Sequence, residues 1–298
     1  MRVLHHSQVA IVLVVAAAFA VGCTFGASPA RRPLCKAKTC VAGTAAGTST
    51  RAPAATAAPL TARSTVRGIY ASWPYASEYP TIASLGFNAV SVEPDRDRLD
   101  YLRSLGLKGL VWLGGYDNTT CSFVWTDDQV RTHIAAINGH PAIRAYEIDN
   151  EPHADTCPTA PQQIKERVAL VRSLVGPKII LYLTLSKNFQ AFADSGVDLI
   201  RISAYPCSYT DGCVMQKIVD KVAEARAAGF TRFWGGTQTA GDSYYRPPTP
   251  AELTLIQQTW RDQGAEGYVA WAWDEHGTTD PLRTNTTLWD TWKVENRR

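Results

Sequence analysis

Ala145-Tyr-Glu-Ile-Asp-Asn-Glu-Pro-His153 is an apolar run that closes in carboxylates, an amide, a proline and an imidazole. On a strand, side chains two apart share a face, so Glu147, Asp149 and Glu151 are expected to project one way and Tyr146, Ile148 and Asn150 the other. A merely water-facing acid row would leave a plainly apolar opposite face, and Tyr/Ile/Asn is not one. Pro152 stops the strand where the acids gather, because it has no ladder donor. In a parallel barrel the carboxyl ends of the strands carry the chemistry, and this stretch ends in that way.

The grammar around it repeats. Seven times a helix-patterned segment ends in glycine and an apolar run starts about two residues later. The glycines are Gly86, Gly106, Gly139, Gly176, Gly196, Gly229 and Gly264, and the runs begin at Asn88, Lys108, Ile143, Ile179, Asp198, Arg232 and Gly267. Glycine suits the left-handed position after a helix, so each marks a helix stop feeding a strand. With the opening run from Val66, seven joints predict eight strands. Helical patterns occupy Asp128–Ile137, Gln162–Leu174, Val214–Ala228 and Pro250–Gln263, with Thr126 and Thr249 placed as caps. Eight alternating units over residues 65–298 define the expected fold class, α/β with a single (β/α)8 TIM barrel. A doubly wound open sheet fits less well, since the first strand–helix turn, Ser72-Trp-Pro-Tyr, has no glycine-rich phosphate loop.

Tyr146-Glu-Ile-Asp-Asn-Glu-Pro152, at the end of the fourth strand, resembles the Asn-Glu-Pro signature of clan A glycoside hydrolases, retaining enzymes built on (β/α)8 barrels. The likeness extends over the barrel in strand order. It implies a carbohydrate substrate, with Glu151 as acid/base and Asn150 on the sugar 2-hydroxyl. It also implies Tyr205 after strand 6, and Trp273 (or Trp271 on a shifted register) as the floor of the sugar site. One position departs from the pattern. The family's strand-7 nucleophile is a glutamate, whereas Phe233-Trp-Gly-Gly-Thr-Gln238 ends in a neutral amide.

A retaining mechanism needs a second carboxylate at about 5–5.5 Å, and an inverting one needs a base at about 6.5–9.5 Å. Gln238 can be neither. Three accounts stand: a barrel that binds glycans without cutting them; a nucleophile or base drawn from Glu93, Asp117, Asp274 or Glu275; or a nucleophile supplied by the substrate. For the last, Glu147, Asp149 and Glu151 are similar to part of the strand-4 acid row of chitinase-like barrels, in which an aspartate orients the attacking acetamido group. The upstream Asp-Gly of that motif is missing here. Trp73, Trp112, Trp234, Trp271 and Trp273 fall near strand ends, where they could stack on sugars or serve the core. His153 and His276 follow strands 4 and 8. No metal set or cofactor motif is present, and the expected state is a monomer.

The two ends of the chain differ in charge. No acid precedes Glu78, and residues 1–64 hold seven basic residues; residues 65–298 hold 23 basic against 27 acidic, a net of −4. The basic balance belongs to the tail and gives the barrel no nucleic-acid signature. Residues 1–23 read as an export signal, with Arg2 ahead of an apolar run too short for a membrane span. Ala20-Val-Gly-Cys23 resembles the bacterial lipobox, with Ala20 where leucine is usual, and implies lipidation at Cys23. The alternative is an ordinary signal-peptidase cut near Ala30. Residues 24–64, rich in Ala, Thr, Ser, Pro and Gly, read as a flexible linker. If Cys23 is lipidated, six cysteines remain for an oxidising compartment. Cys35 with Cys40, Cys207 with Cys213, and Cys121 with Cys157 are the expected pairs. The reading is of an extracellular or cell-surface protein that meets the membrane only through a lipid anchor.

Overall fold

The structure is a computed structural model that describes residues 65–274 and 277–298. The expected signal, linker, Cys23, Cys35, Cys40, Glu275, His276 and the side chain of Trp73 lie outside the described residues. Eight strands form a closed parallel barrel: β1 (Val66–Ala71), β2 (Ala89–Val92), β3 (Lys108–Trp112), β4 (Ile143–Asn150), β5 (Ile180–Leu185), β6 (Leu199–Ser203), β7 (Phe233–Gln238) and β8 (Gly267–Asp274). Each strand pairs with its sequence neighbours, and β1 closes the ring on β8. All seven joint glycines have φ between 73° and 95°, the left-handed conformation that ends a helix without steric cost for glycine alone.

The connecting helices are α1 (Tyr79–Ser84), α2 (Arg96–Ser104), α3 (Asp127–Ile137), α4 (Ala160–Val175), α5 (Gln216–Ala227), α6 (Pro250–Asp262) and α7 (Trp289–Glu295). Between β5 and β6 there is only a short 3-10 turn, Phe189–Phe192. Thr126 and Thr249 both form capping boxes, with Gln129 and Glu252 answering them.

The core has two layers. Val66, Leu110, Ala145, Tyr182, Leu199, Trp234 and Val269 fill the barrel, and a larger apolar cluster lies between strands and helices. At Gly235 on β7 a Cβ would run into the indole of Trp260, so the missing side chain lets α6 lie close against the strand. Small hairpins follow β3 (Tyr116–Asp117 with Ser122–Phe123) and β6 (Cys207–Ser208 with Gly212–Cys213). Cys121 and Cys157, with Cα atoms 5.3 Å apart, join the loops after β3 and β4; Cys207 and Cys213 close the second hairpin. Both pairings match those expected. Among the described residues, no helix is long and apolar enough to cross a membrane.

Candidate active site

β4 does not keep its alternation to the end, which corrects the expectation that three acids share one face. Its register against β5 slips between Glu147 and Asp149: Glu147 stands beside Tyr182, Asp149 beside Leu183, and Asn150 beside Thr184. Tyr182 belongs to the barrel interior and Leu183 to the layer under the helices. The slip therefore leaves Glu147 and Asn150 inside and turns Asp149 outward. Asp149, expected to touch substrate, is 1% exposed and accepts a hydrogen bond from the Tyr116 amide at 2.5 Å. Burial raises its carboxyl to about 7, with the Tyr116 amide opposing the shift.

Glu147 is fully buried in the barrel. Its Oε1 accepts from Tyr70 Oη at 2.7 Å and Thr184 Oγ1 at 2.8 Å. Burial pushes its carboxyl up, opposed by the nearby Arg201 and by these donors. Arg201, also buried, donates from Nη1 to Tyr70 Oη at 2.9 Å and from Nη2 to Tyr205 Oη at 3.1 Å. Burial works against its charge, but Tyr70, Tyr205 and Glu147 outweigh it and hold the guanidinium protonated. Asn150, Glu147, Tyr70, Trp112 and Glu93 line a cavity of about 520 Å³ above this cluster.

Glu151 follows the last residue of β4 and has a φ of 60°, a left-handed conformation in a residue with a Cβ. Its amide donates to Thr184 O at 3.0 Å, and its carbonyl accepts from Asn118 Nδ2 at 3.0 Å. Its charge is felt by Tyr205 and Tyr245. Both phenols are raised chiefly by burial, with Glu151 adding to the effect; Tyr205 reaches about 12. Tyr205 stacks on Trp271 with centroids 5.1 Å apart and planes 14° from parallel. Trp273 turns the other way. It is 1% exposed, donates from Nε1 to Glu78 at 2.8 Å and stacks on Trp289 at 5.9 Å. Of the two tryptophans proposed as a floor, the one beside Tyr205 is Trp271.

Gln238 is completely buried and fully bonded. Its Oε1 accepts from the Cys207 amide at 2.9 Å, and its Nε2 donates to Cys207 O at 2.8 Å and Arg246 O at 2.6 Å. The amide thus clips the loop after β6 to the loop after β7. Asp274 is buried against Ser72, whose amide and hydroxyl both donate to it, and Asp117 is held by Thr119 N and Thr120 in its own turn. Glu93 is exposed and paired with Arg98. His153 donates from its backbone to Asn118 Oδ1 at 2.7 Å, in the loop braced by Cys121 and Cys157. Among the described residues the one possible metal grouping is Cys207, Cys213 and Glu252, and its sulfurs form a disulfide.

Sequence reasoning missed Tyr70, Arg201 and Tyr245. Arg201 carried a signal, a lone arginine inside the apolar run Leu199-Ile-Arg-Ile-Ser203. Tyr245 lies in a loop without any motif.

No protein-family model matches the chain, and no curated protein matches it in sequence. Solved structures do match its fold. A GH2 β-galacturonidase from Eisenbergiella tayi, bound to galacturonate, superposes with TM-score 0.59 at 17% identity, over 77% of this chain and 51% of that one. Gas2p of Saccharomyces cerevisiae, in complex with laminaritetraose and laminaripentaose, gives 0.55 at 13% identity, over 78% of this chain and 63% of that one. The catalytic domain of a mannanase from Streptomyces sp. SirexAA-E gives 0.51 at 18%, over 73% and 77%. The chain therefore spans only about half the length of the galacturonidase. The fold shared with these glycoside hydrolases is a single (β/α)8 barrel.

Proposed function

We propose that this protein acts on a polysaccharide or glycoside at the carboxyl end of its barrel. Glu151 is the acid/base, Asn150 a contact to the sugar, and the Tyr205–Trp271 pair its aromatic floor. The observation that carries this reading is the backbone at Glu151. A left-handed non-glycine residue costs roughly 1–3 kcal/mol and persists only where its surroundings over-determine it. Here hydrogen bonds from Glu151 N to Thr184 and from Asn118 to Glu151 O fix the residue within electrostatic reach of Tyr205 and Tyr245. In hydrolysis its carboxyl would give a proton to the leaving glycosidic oxygen, and Tyr205 and Asn150 would hold the sugar as positive charge grows at its anomeric carbon.

The partner group decides between cutting and binding. Gln238 has no carboxylate to form a glycosyl ester, and its amide oxygen is taken by Cys207 N. An acetamido-assisted route needs an aspartate beside the substrate, and Asp149 is buried behind β4. Among the described residues, the carboxylates on the cavity wall are Glu147, sealed beneath, and Glu93, exposed, paired with Arg98 and the candidate for an inverting base. A second reading, a surface protein that binds glycan without hydrolysis, is favoured by the structural use of Gln238. The two disulfides support an oxidising, extracellular location, and lipid anchoring through Cys23 belongs to the same proposal.

A polysaccharide panel, read for binding and for new reducing ends with wild type and Glu151→Gln, tests both readings. Cleavage lost in the variant with binding retained supports the enzyme; binding without reducing ends supports the second reading. No binding and no cleavage would sink both.

A further inference from the structure

Beyond Tyr205 the rim of the barrel carries rings that neither the core nor the acid/base site uses. Among the described residues, Tyr209 and Tyr244 are the large aromatic side chains that stand well into solvent, 59% and 49% exposed. One exposed ring is ordinary. These two lie on adjoining strips of the same rim: the Tyr209 amide donates to Tyr244 O at 3.2 Å, and Ser208 bridges Tyr245. Ring contacts run from Tyr244 to the site. Tyr244 meets Tyr245 at 4.8 Å, Tyr245 meets Tyr205 at 5.4 Å, and Tyr205 stacks on Trp271. On its other side, Tyr205 is tied through Arg201 to Tyr70 on the cavity wall.

The rim is also stiff. Asp242 Oδ1 accepts from the amides of Tyr244 and Tyr245, both at 2.7 Å, and Arg246 N donates to Cys207 O. Gln238 clips the two loops together from beneath, and the Cys207–Cys213 disulfide closes one of them. Rings held in place before a ligand arrives lose little entropy on binding it. The cations beside them are already engaged, Lys217 with Asp211 at 2.9 Å and Arg246 with Glu252 at 2.6 Å. An acidic sugar would find no uncommitted partner in that pair, whereas the apolar face of a neutral sugar fits a tyrosine ring.

We propose that Tyr209 and Tyr244, backed by Tyr245, form an aromatic rim on which further sugar units of a long, neutral glycan stack beyond the unit held at Glu151. The ligand is then an extended chain rather than a short glycoside. This rests on the carbohydrate reading of the same site and adds chain length and charge to it.

Titration calorimetry on the full chain with laminarihexaose, mannohexaose, the corresponding disaccharides and an oligogalacturonide tests it. Hexasaccharide of one neutral series should bind more tightly than its disaccharide. Tyr244→Ala and Tyr209→Ala should each weaken hexasaccharide binding about tenfold and leave the disaccharide unchanged, while Tyr244→Phe keeps the ring and the affinity. Unchanged hexasaccharide binding in the Ala variants, or equal loss at both lengths, overturns the rim and leaves the carbohydrate reading intact. Preference for the oligogalacturonide overturns the neutral chain. Wild type that binds none of these sugars ends the rim proposal, and failure across the wider panel ends the carbohydrate reading with it.

Discussion

Glu151 and Gln238 end neighbouring stretches of the barrel rim in opposite ways: one is held in an unusual backbone conformation, the other is spent on the scaffold. Glu151→Gln removes a proton donor and keeps the shape. Where wild type cleaves, the variant should lose about 10²–10⁴-fold in rate with binding unchanged, read as reducing ends against calorimetry. Gln238→Glu keeps the acceptor for Cys207 N but loses both donors, leaving Cys207 O and Arg246 O facing a carboxylate. It should destabilise by roughly 1–3 kcal/mol and create no cleavage. The pH sign follows from its setting. A buried carboxyl beside two carbonyl oxygens has its folded pKa raised, so its stabilising state is fully present below the unfolded value near ~4.3 and lost as pH rises. The deficit against wild type should therefore be larger at neutral than at acid pH in urea unfolding. Fluorosugar trapping at a glutamate placed there would refute the clip account.

At the scale of elements, two misread facings have one cause. β4 slips between Glu147 and Asp149, and β8 slips against β1, where Ile69 stands beside Ala270 but Ala71 beside Asp274. Bulges of this kind gather next to active sites, and each re-aims the side chains that follow it. The glycine stops and threonine caps were legible in sequence because they are local: a helix end needs its glycine wherever it packs. A register slip depends on the strand across the ladder, so Asp149 and Trp273 could not be placed from their own segments. Gln238 could be seen as an amide, but its partners come from two loops, and Cys207 lies 31 residues away along the chain. The β4 slip has a measurable result. Asp149 holds its proton to about 7 in the folded chain, through burial, while an unfolded aspartate loses it near ~4. The stability it contributes is complete at acid pH and falls as pH rises through that window. Asp149→Asn, which can still accept from Tyr116 N, should flatten the fall in urea unfolding across about pH 4–8. The loop brace is separable from this. Replacing Cys121 and Cys157 together by alanine should cost about 2–4 kcal/mol in the same assay, because the unfolded chain regains the freedom of the loop they close.

Across the whole molecule, charge and cysteines divide at the same point. The barrel's excess of acids leaves all the positive balance to residues 1–64, and the two disulfides of the barrel consume four of the seven cysteines. Cys23, Cys35 and Cys40 remain, all in that basic segment. A Cys35–Cys40 pair would leave Cys23 single, at the position where the lipobox resemblance puts the lipid. A lipobox cysteine carries a diacylglyceryl group, whose two chains give stable attachment, and a basic stretch beside it adds attraction to anionic lipid. Six of the seven basic residues follow Cys23, so the two signals would act together. Cys23→Ser should then move the protein from the membrane fraction to the medium. The fractionation belongs in high salt, because at low ionic strength the basic segment alone can hold protein on anionic lipid and hide the loss of the anchor. Labelled fatty acid should enter wild type and not the variant. Wild type free in the medium, with an N-terminus near Arg31, would instead mean an ordinary signal-peptidase cut and a barrel that meets its glycan away from the cell.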